Sequence, residues 1–184
     1  MKIFLDLDGV VTDFVTDAMR YNGVEDFIYP VECGWDVVMA CNRLRDKKGL
    51  PLLKTSEFWD TLDCLFFWAD LKPYPGALDF VERVSKYGEL YIATSPTESP
   101  LSSWGKHMWI NKHLPEYSRR FFIGPQKHLL ADRDSVLIDD SDSNCKKFEE
   151  AGGTSILVPR PWNVYGGSYN SFLTVERHLH AISL

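Results

Sequence analysis

Four apolar runs in this chain of 184 residues end on polar groups suited to metal or phosphoryl chemistry. The first closes on Asp6-Leu7-Asp8-Gly9-Val10. Residues two apart in an extended segment point to the same side, so the two carboxylates lie together. Like charges that close repel, and a divalent cation is the usual means of holding both ionised. Gly9 then lets the backbone turn sharply away. Further along, Leu90-Tyr91-Ile92-Ala93 runs into Thr94-Ser95, and Val136-Leu137-Ile138 runs into Asp139-Asp140. The fourth, Phe121-Phe122-Ile123, is followed by Gly124-Pro125-Gln126-Lys127. Beside four carboxylates, Lys127 is suited to neutralise both an aspartate and an incoming phosphate. Taken singly, each segment has a plain reading as a turn, a helix cap or a surface lysine. Their recurrence at the same end of successive strands is what argues for a site.

The elements that must position these groups follow from periodicity. Apolar runs of strand character cover 3–5, 89–93, 121–123, 136–138 and 155–158, and helical patterns cover 76–87, 102–113, 141–151 and 174–182. Pro73 and Pro75 precede the first of these helices and Gly88 follows it; Pro115 lies beyond the second and Gly152-Gly153 closes the third. Strands alternating with helices imply an α/β fold with a Rossmann-like parallel sheet covered on both faces, and ligands of such sheets bind beyond the carboxyl ends of the strands. Between the first two strands lies far more chain than a crossover needs. It reads as a small helical cap inserted after the first strand, giving a core of 1–13 and 73–184 and a cap of 14–72. The cap holds Phe14, Tyr21, Phe27, Tyr29, Trp35, Phe58, Trp59, Phe66, Phe67 and Trp68.

Composition narrows the function classes. Hydrophobic residues make up 45% of the chain and aromatics 14%, too much for a disordered protein. With 20 Lys and Arg against 26 Asp and Glu, the net charge of −6 gives no basic surface for a nucleic-acid duplex. A small anionic substrate stays open, because a few local cations hold one phosphate. The four cysteines are widely spaced with no C-x-x-C pair, and neither a signal segment nor a membrane-spanning run is visible, so the expectation is a soluble protein of the cytoplasm.

Asp6-Leu7-Asp8-Gly9-Val10, Thr94-Ser95, Lys127 and Asp139-Asp140, with Asn144 four residues on, resemble the four ordered motifs of the haloacid dehalogenase superfamily of phosphotransferases. More closely, the segments 6–14 (DLDGVVTDF), 66–76 (FFWADLKPYPG), 92–96 (IATSP) and 136–140 (VLIDD) are similar to those of the 5'(3')-deoxyribonucleotidases. The resemblance implies a phosphatase that works through an aspartyl-phosphate, with Asp6 as nucleophile and Asp8 as acid and then base. It implies Mg²⁺ held by Asp6, the Asp8 backbone carbonyl and Asp140, with Asp139 behind them. Phosphate oxygens are then met by Thr94, Ser95, Lys106 and Lys127, and the base by Phe14. In a cap rich in aromatics, Trp35, Trp59, Phe67 and Trp68 are further candidates for the base.

One departure is Ser141, where that family tends to carry Arg after the acidic pair. The substrate expected is a small phosphomonoester, a (deoxy)nucleoside monophosphate. Two other readings stand beside it: a phosphatase of the same core acting on a sugar phosphate or a nucleic-acid 3'-phosphate, and a non-catalytic binding module, against which the presence of both Asp6 and Asp8 speaks. Oligomeric state is left open, a homodimer included.

Overall fold

Among the residues that the computed structural model describes, 1–166 and 170–183, five strands form one parallel sheet. They are β1 (Lys2–Leu5), β2 (Glu89–Thr94), β3 (Phe121–Ile123), β4 (Ser135–Asp139) and β5 (Thr154–Leu157), in the order β3-β2-β1-β4-β5. The chain runs outward from β1 to β3 on one side and returns to start β4 on the other. This puts the switch of direction at the carboxyl ends of β1 and β4, where open α/β sheets form their binding crevice. Leu5 is paired with Ile92 on one side and Ile138 on the other, and the Asp6 amide donates to Ile138 O at 2.9 Å. That register sets Asp6 beside Asp139 before any side chain is considered.

Between β1 and β2 stand α1 (Phe14–Tyr21), α2 (Val37–Lys47), α3 (Thr55–Asp60), α4 (Leu65–Ala69) and α5 (Ala77–Val84). Asp13 caps α1 by accepting from Thr16 N, and Asp36 caps α2 by accepting from Met39 N at 2.8 Å. The core helices follow as α6 (Pro100–His113), α7 (Asp142–Glu150) and α8 (Ser171–Ile182). Alternation along the strands decides the layers. Ile3, Leu5, Leu90, Ile92, Val136 and Ile138 share one core with α5, α6 and α8, whereas Phe4, Ala93 and Leu137 pack on Phe148 of α7. The β3 to β4 connection carries only a 3₁₀ turn, Lys127–Leu130, so the second face is closed partly by its own rings: Phe4 lies 5.6 Å from Tyr91 and 6.0 Å from Phe122.

α4 packs closely on α6. A Cβ on Gly105 would lie 2.4 Å from Trp68 Cβ and 2.9 Å from Leu65 O, so only glycine permits this approach. Trp109 of α6 donates its indole N–H to Leu71 O at 2.7 Å, fastening the chain just past α4. All four cysteines are free thiols. No helix among the described residues is long and apolar enough to cross a membrane.

Candidate active site

The strand ends converge as the register requires. Asp6, Asp139 and Asp140 are all buried, and each offers a carboxylate oxygen within 4.8 Å of the others. Lys127, itself buried at the start of the 3₁₀ turn, bridges Asp6 Oδ1 at 2.8 Å and Asp139 Oδ2 at 2.6 Å. With all three ionised, three carboxylates against one ammonium would leave two negative charges in excess. Burial, followed by the neighbouring Asp139 and Asp8 against the pull of Lys127, pushes the Asp6 carboxyl up to about 7. Burial, then Asp139 and Asp6, raises Asp140 well above the carboxylate range. An all-oxygen acidic set with a charge deficit of two fits a hard divalent cation.

Asp139 is already saturated. Its Oδ1 accepts from Ser141 N at 2.9 Å, and Asn144 Nδ2 reaches both carboxylate oxygens at 3.2 Å. The residue at the departure noted above, Ser141, caps α7 through its side chain. The Asp8 carboxylate lies apart from the acidic trio. It accepts from Thr12 Oγ1 at 3.1 Å and forms an ion pair with Lys106 Nζ. Lys106 is 1% exposed; it also donates to Thr94 Oγ1 at 3.0 Å and to Ser95 O, with the face of the Trp68 ring 5.2 Å away. Thr94 is fully buried at the end of β2, and Ser95 Oγ reaches Gly124 O only at 3.5 Å. Lys127 thus touches the acidic trio directly, whereas Lys106, Thr94 and Ser95 gather at Asp8.

The five aromatic candidates divide. Phe14 is 4% exposed, and its ring lies nearly parallel to Trp68 at 5.6 Å and to Trp59 at 6.3 Å, with Phe67 edge-on at 6.1 Å. Trp59 and Trp68 line a cleft of about 750 Å³ together with Pro96, Thr97 and Ser99 from the loop after β2. Phe14 and Phe67 stand behind that wall. Trp35 lies elsewhere, 44% exposed and 5.5 Å from Trp162.

Three residues after β5 touch the site without having been singled out from sequence. Trp162 donates to Asp140 Oδ2 at 2.6 Å, Asn163 to Asp140 O at 2.9 Å, and Arg160 to the carbonyls of Gly9 and Val10. The signal was present: the rule that gathers ligands at strand ends applies to β5 as to the other four strands. Residues 167–169 of the loop that follows these three lie outside the described residues.

A parallel sheet of this order, with a buried acidic trio at its strand ends, has the fold of the haloacid dehalogenase class of hydrolases. A hydrolase of that family from Deinococcus radiodurans R1, solved with bound phosphate and sodium, superposes with a TM-score of 0.55 over 98% of this chain and 93% of its own, at 16% identity; this likeness concerns the fold. Within that class, residues 1–170 match the family model of the 5' nucleotidase, deoxy (pyrimidine), cytosolic type C proteins, and the chain belongs to that family. It is similar to the 5'(3')-deoxyribonucleotidase of Bacillus subtilis strain 168, at 26% identity over 88% of this chain and 86% of the relative. The cytosolic-type 5'(3')-deoxyribonucleotidase of Homo sapiens is 27% identical over 78% of this chain and 72% of the relative. The protein is accordingly a nucleotide phosphatase, a phosphoric monoester hydrolase.

Proposed function

We propose that the protein hydrolyses deoxynucleoside monophosphates to nucleoside and phosphate through a phosphorylated Asp6. The observation that carries this reading is the buried trio Asp6, Asp139 and Asp140 with its two uncompensated charges, flanked by Lys106 and Lys127. Asp6 Oδ attacks phosphorus as the ester P–O bond breaks, dividing one difficult displacement into two easier ones. Once Lys106 has moved from it to the phosphate, Asp8 takes a proton from solvent and gives it to the departing nucleoside oxygen. It then takes a proton from the water that attacks the phosphorylated Asp6, and the Asp6–phosphorus bond breaks to free phosphate; such acid–base help contributes ~10²–10⁴-fold.

Lys106 holds the Asp8 carboxylate in the free protein. A phosphate that draws Lys106 Nζ onto its own oxygens leaves Asp8 to the ester oxygen. Thr94, Ser95 and Lys127 supply the remaining donors around the transferring group. Asp6, the Asp8 backbone carbonyl and Asp140, with Asp139 behind them, would hold Mg²⁺, which when bound would neutralise charge on the phosphoryl oxygens. Lys127, shared between Asp6 and Asp139, keeps the nucleophile's carboxylate from turning away.

The nucleoside extends from Lys106 toward the cleft edged by Trp59 and the buried Trp68, an apolar edge suited to a base. In this reading 14–72 is the cap and 1–13 with 73–184 the catalytic core, and the free thiols accord with a cytoplasmic setting. Phosphate release from a panel of 5'- and 3'-nucleotides and sugar phosphates, with and without Mg²⁺, tests it. Release confined to sugar phosphates, or release undiminished by chelation, overturns the substrate or the metal respectively.

A further inference from the structure

The chain after β5 has no role in the reaction above, yet it is bonded to both halves of the acidic centre. Val158 N donates to Asp139 O at 2.8 Å, carrying the β4 to β5 ladder one step past the strand. Asn163 Nδ2 donates to Asp140 O at 2.9 Å and to Val158 O at 2.8 Å, while its Oδ1 accepts from the amides of Arg160 at 3.3 Å and Tyr165 at 3.2 Å. That one side chain knits the turn. Arg160 spans from it to the Gly9 and Val10 carbonyls, its guanidinium 4.1 Å over the Tyr74 ring. The turn is thereby fixed against the backbone that follows Asp6 and Asp8.

Trp162 stands at its centre. The side chain is buried, and its indole N–H donates to Asp140 Oδ2 at 2.6 Å. Tyr29 packs edge-on against its ring at 5.4 Å and Trp35 lies across it at 5.5 Å. Tyr29 in turn donates its hydroxyl to Gly34 O at 2.6 Å, closing the loop that carries both. An indole is a donor only, so this contact cannot reverse and cannot compete for the cation. A carboxylate held at one oxygen by a fixed donor has lost its freedom to rotate.

We propose that Trp162 is a positioning residue for Asp140: its N–H fixes the rotation of that carboxylate so that Asp6 and Asp140 meet a divalent cation together, with Tyr29 and Trp35 steadying the indole. This rests on the metal reading given above. Groups that orient metal ligands contribute roughly 10–100-fold to metal affinity. The competing explanation is a ring that merely fills space, which Trp162→Phe largely preserves while deleting the N–H. Trp162→His restores a ring donor.

Mn²⁺ uptake by the full chain, read from the electron paramagnetic resonance signal of the free ion, separates the two. Trp162→Phe should weaken Mn²⁺ binding about 10-fold or more, with His recovering most of that loss. The activity deficit of the Phe variant should shrink at excess Mg²⁺, because affinity rather than chemistry is impaired. Equal Mn²⁺ affinity in the parent and the Phe variant overturns the proposal, as does equal weakening in the Phe and His variants. Should the Phe variant not fold, the Trp162 indole ¹H–¹⁵N resonance of the parent decides: it should shift as Mg²⁺ is added, and a resonance unmoved by a saturating titration overturns the inference. A parent that binds no Mn²⁺ removes the metal reading and this inference with it, and is told apart by the parent alone.

Discussion

Gly9 and Asp140 share a space that admits no side chain. A Cβ on Gly9 would lie 2.1 Å from Asp140 Oδ2 and 2.6 Å from its Cγ, and Gly9 has φ +76°. Substituting Ala therefore strains the backbone and displaces the carboxylate. Gly9→Ala should cost more than about 1 kcal/mol in urea unfolding and should abolish most divalent-cation binding. A variant that is merely less stable but binds Mn²⁺ normally would show that Asp140 is not a ligand.

Asp6→Asn should end phosphate release altogether. Without metal it should also be more stable than the parent, because it removes one of the two uncompensated charges around Lys127. Activity is measured with a nucleotide in saturating Mg²⁺ and stability by urea titration in chelator. Turnover at the parent's rate sinks the nucleophile assignment.

Stability without metal should fall with rising pH. The Asp6 carboxyl sits at about 7 in the folded protein against 3.8 as its ordinary value, so the folded state holds the proton more tightly. Its contribution is fully present below about pH 4 and is lost as pH climbs to about 7, and Asp140 acts in the same sense. Mg²⁺ at ~100 times its Kd should add about 2.7 kcal/mol and flatten the decline. Urea midpoints at pH 5 and pH 8, in chelator and in Mg²⁺, check both statements; a chelated protein more stable at pH 8 contradicts them.

Lys106→Met should lower kcat/KM by ~10²-fold or more, since it removes a charged donor from the transferring phosphate. It also unties Asp8 and Thr94. Steady-state kinetics on one nucleotide show the loss, and a change confined to less than 3-fold in KM would move the phosphate contact to Lys127 alone.

The strand ends were readable because the side-chain period of two and the order of apolar runs are local properties. Asp6 and Asp139 meet because the paired parallel strands β1 and β4 end in register, and Lys127 bridges them from the turn after β3. Distances between segments far apart in sequence were not readable. Nothing local in Arg160-Pro161-Trp162-Asn163 indicates that its indole reaches Asp140, a contact between residues 22 positions apart. The aromatic region between β1 and β2 was equally opaque. Phe14 follows the first motif closely enough to suggest exposure to ligand, yet parallel packing on Trp68 and Trp59 buries it, and helix pairing decides which rings face the cleft.

The contact of Gly105 with Trp68 sets a length scale. With α4 drawn onto α6 at a point where even a methyl group has no room, Trp68 is set against Lys106, which follows Gly105 on α6. If the proposed function holds, that fixed spacing would act as a ruler between the phosphate and a ring in the cleft, and a substrate of the wrong span from phosphorus to ring would gain nothing from the wall it fails to reach.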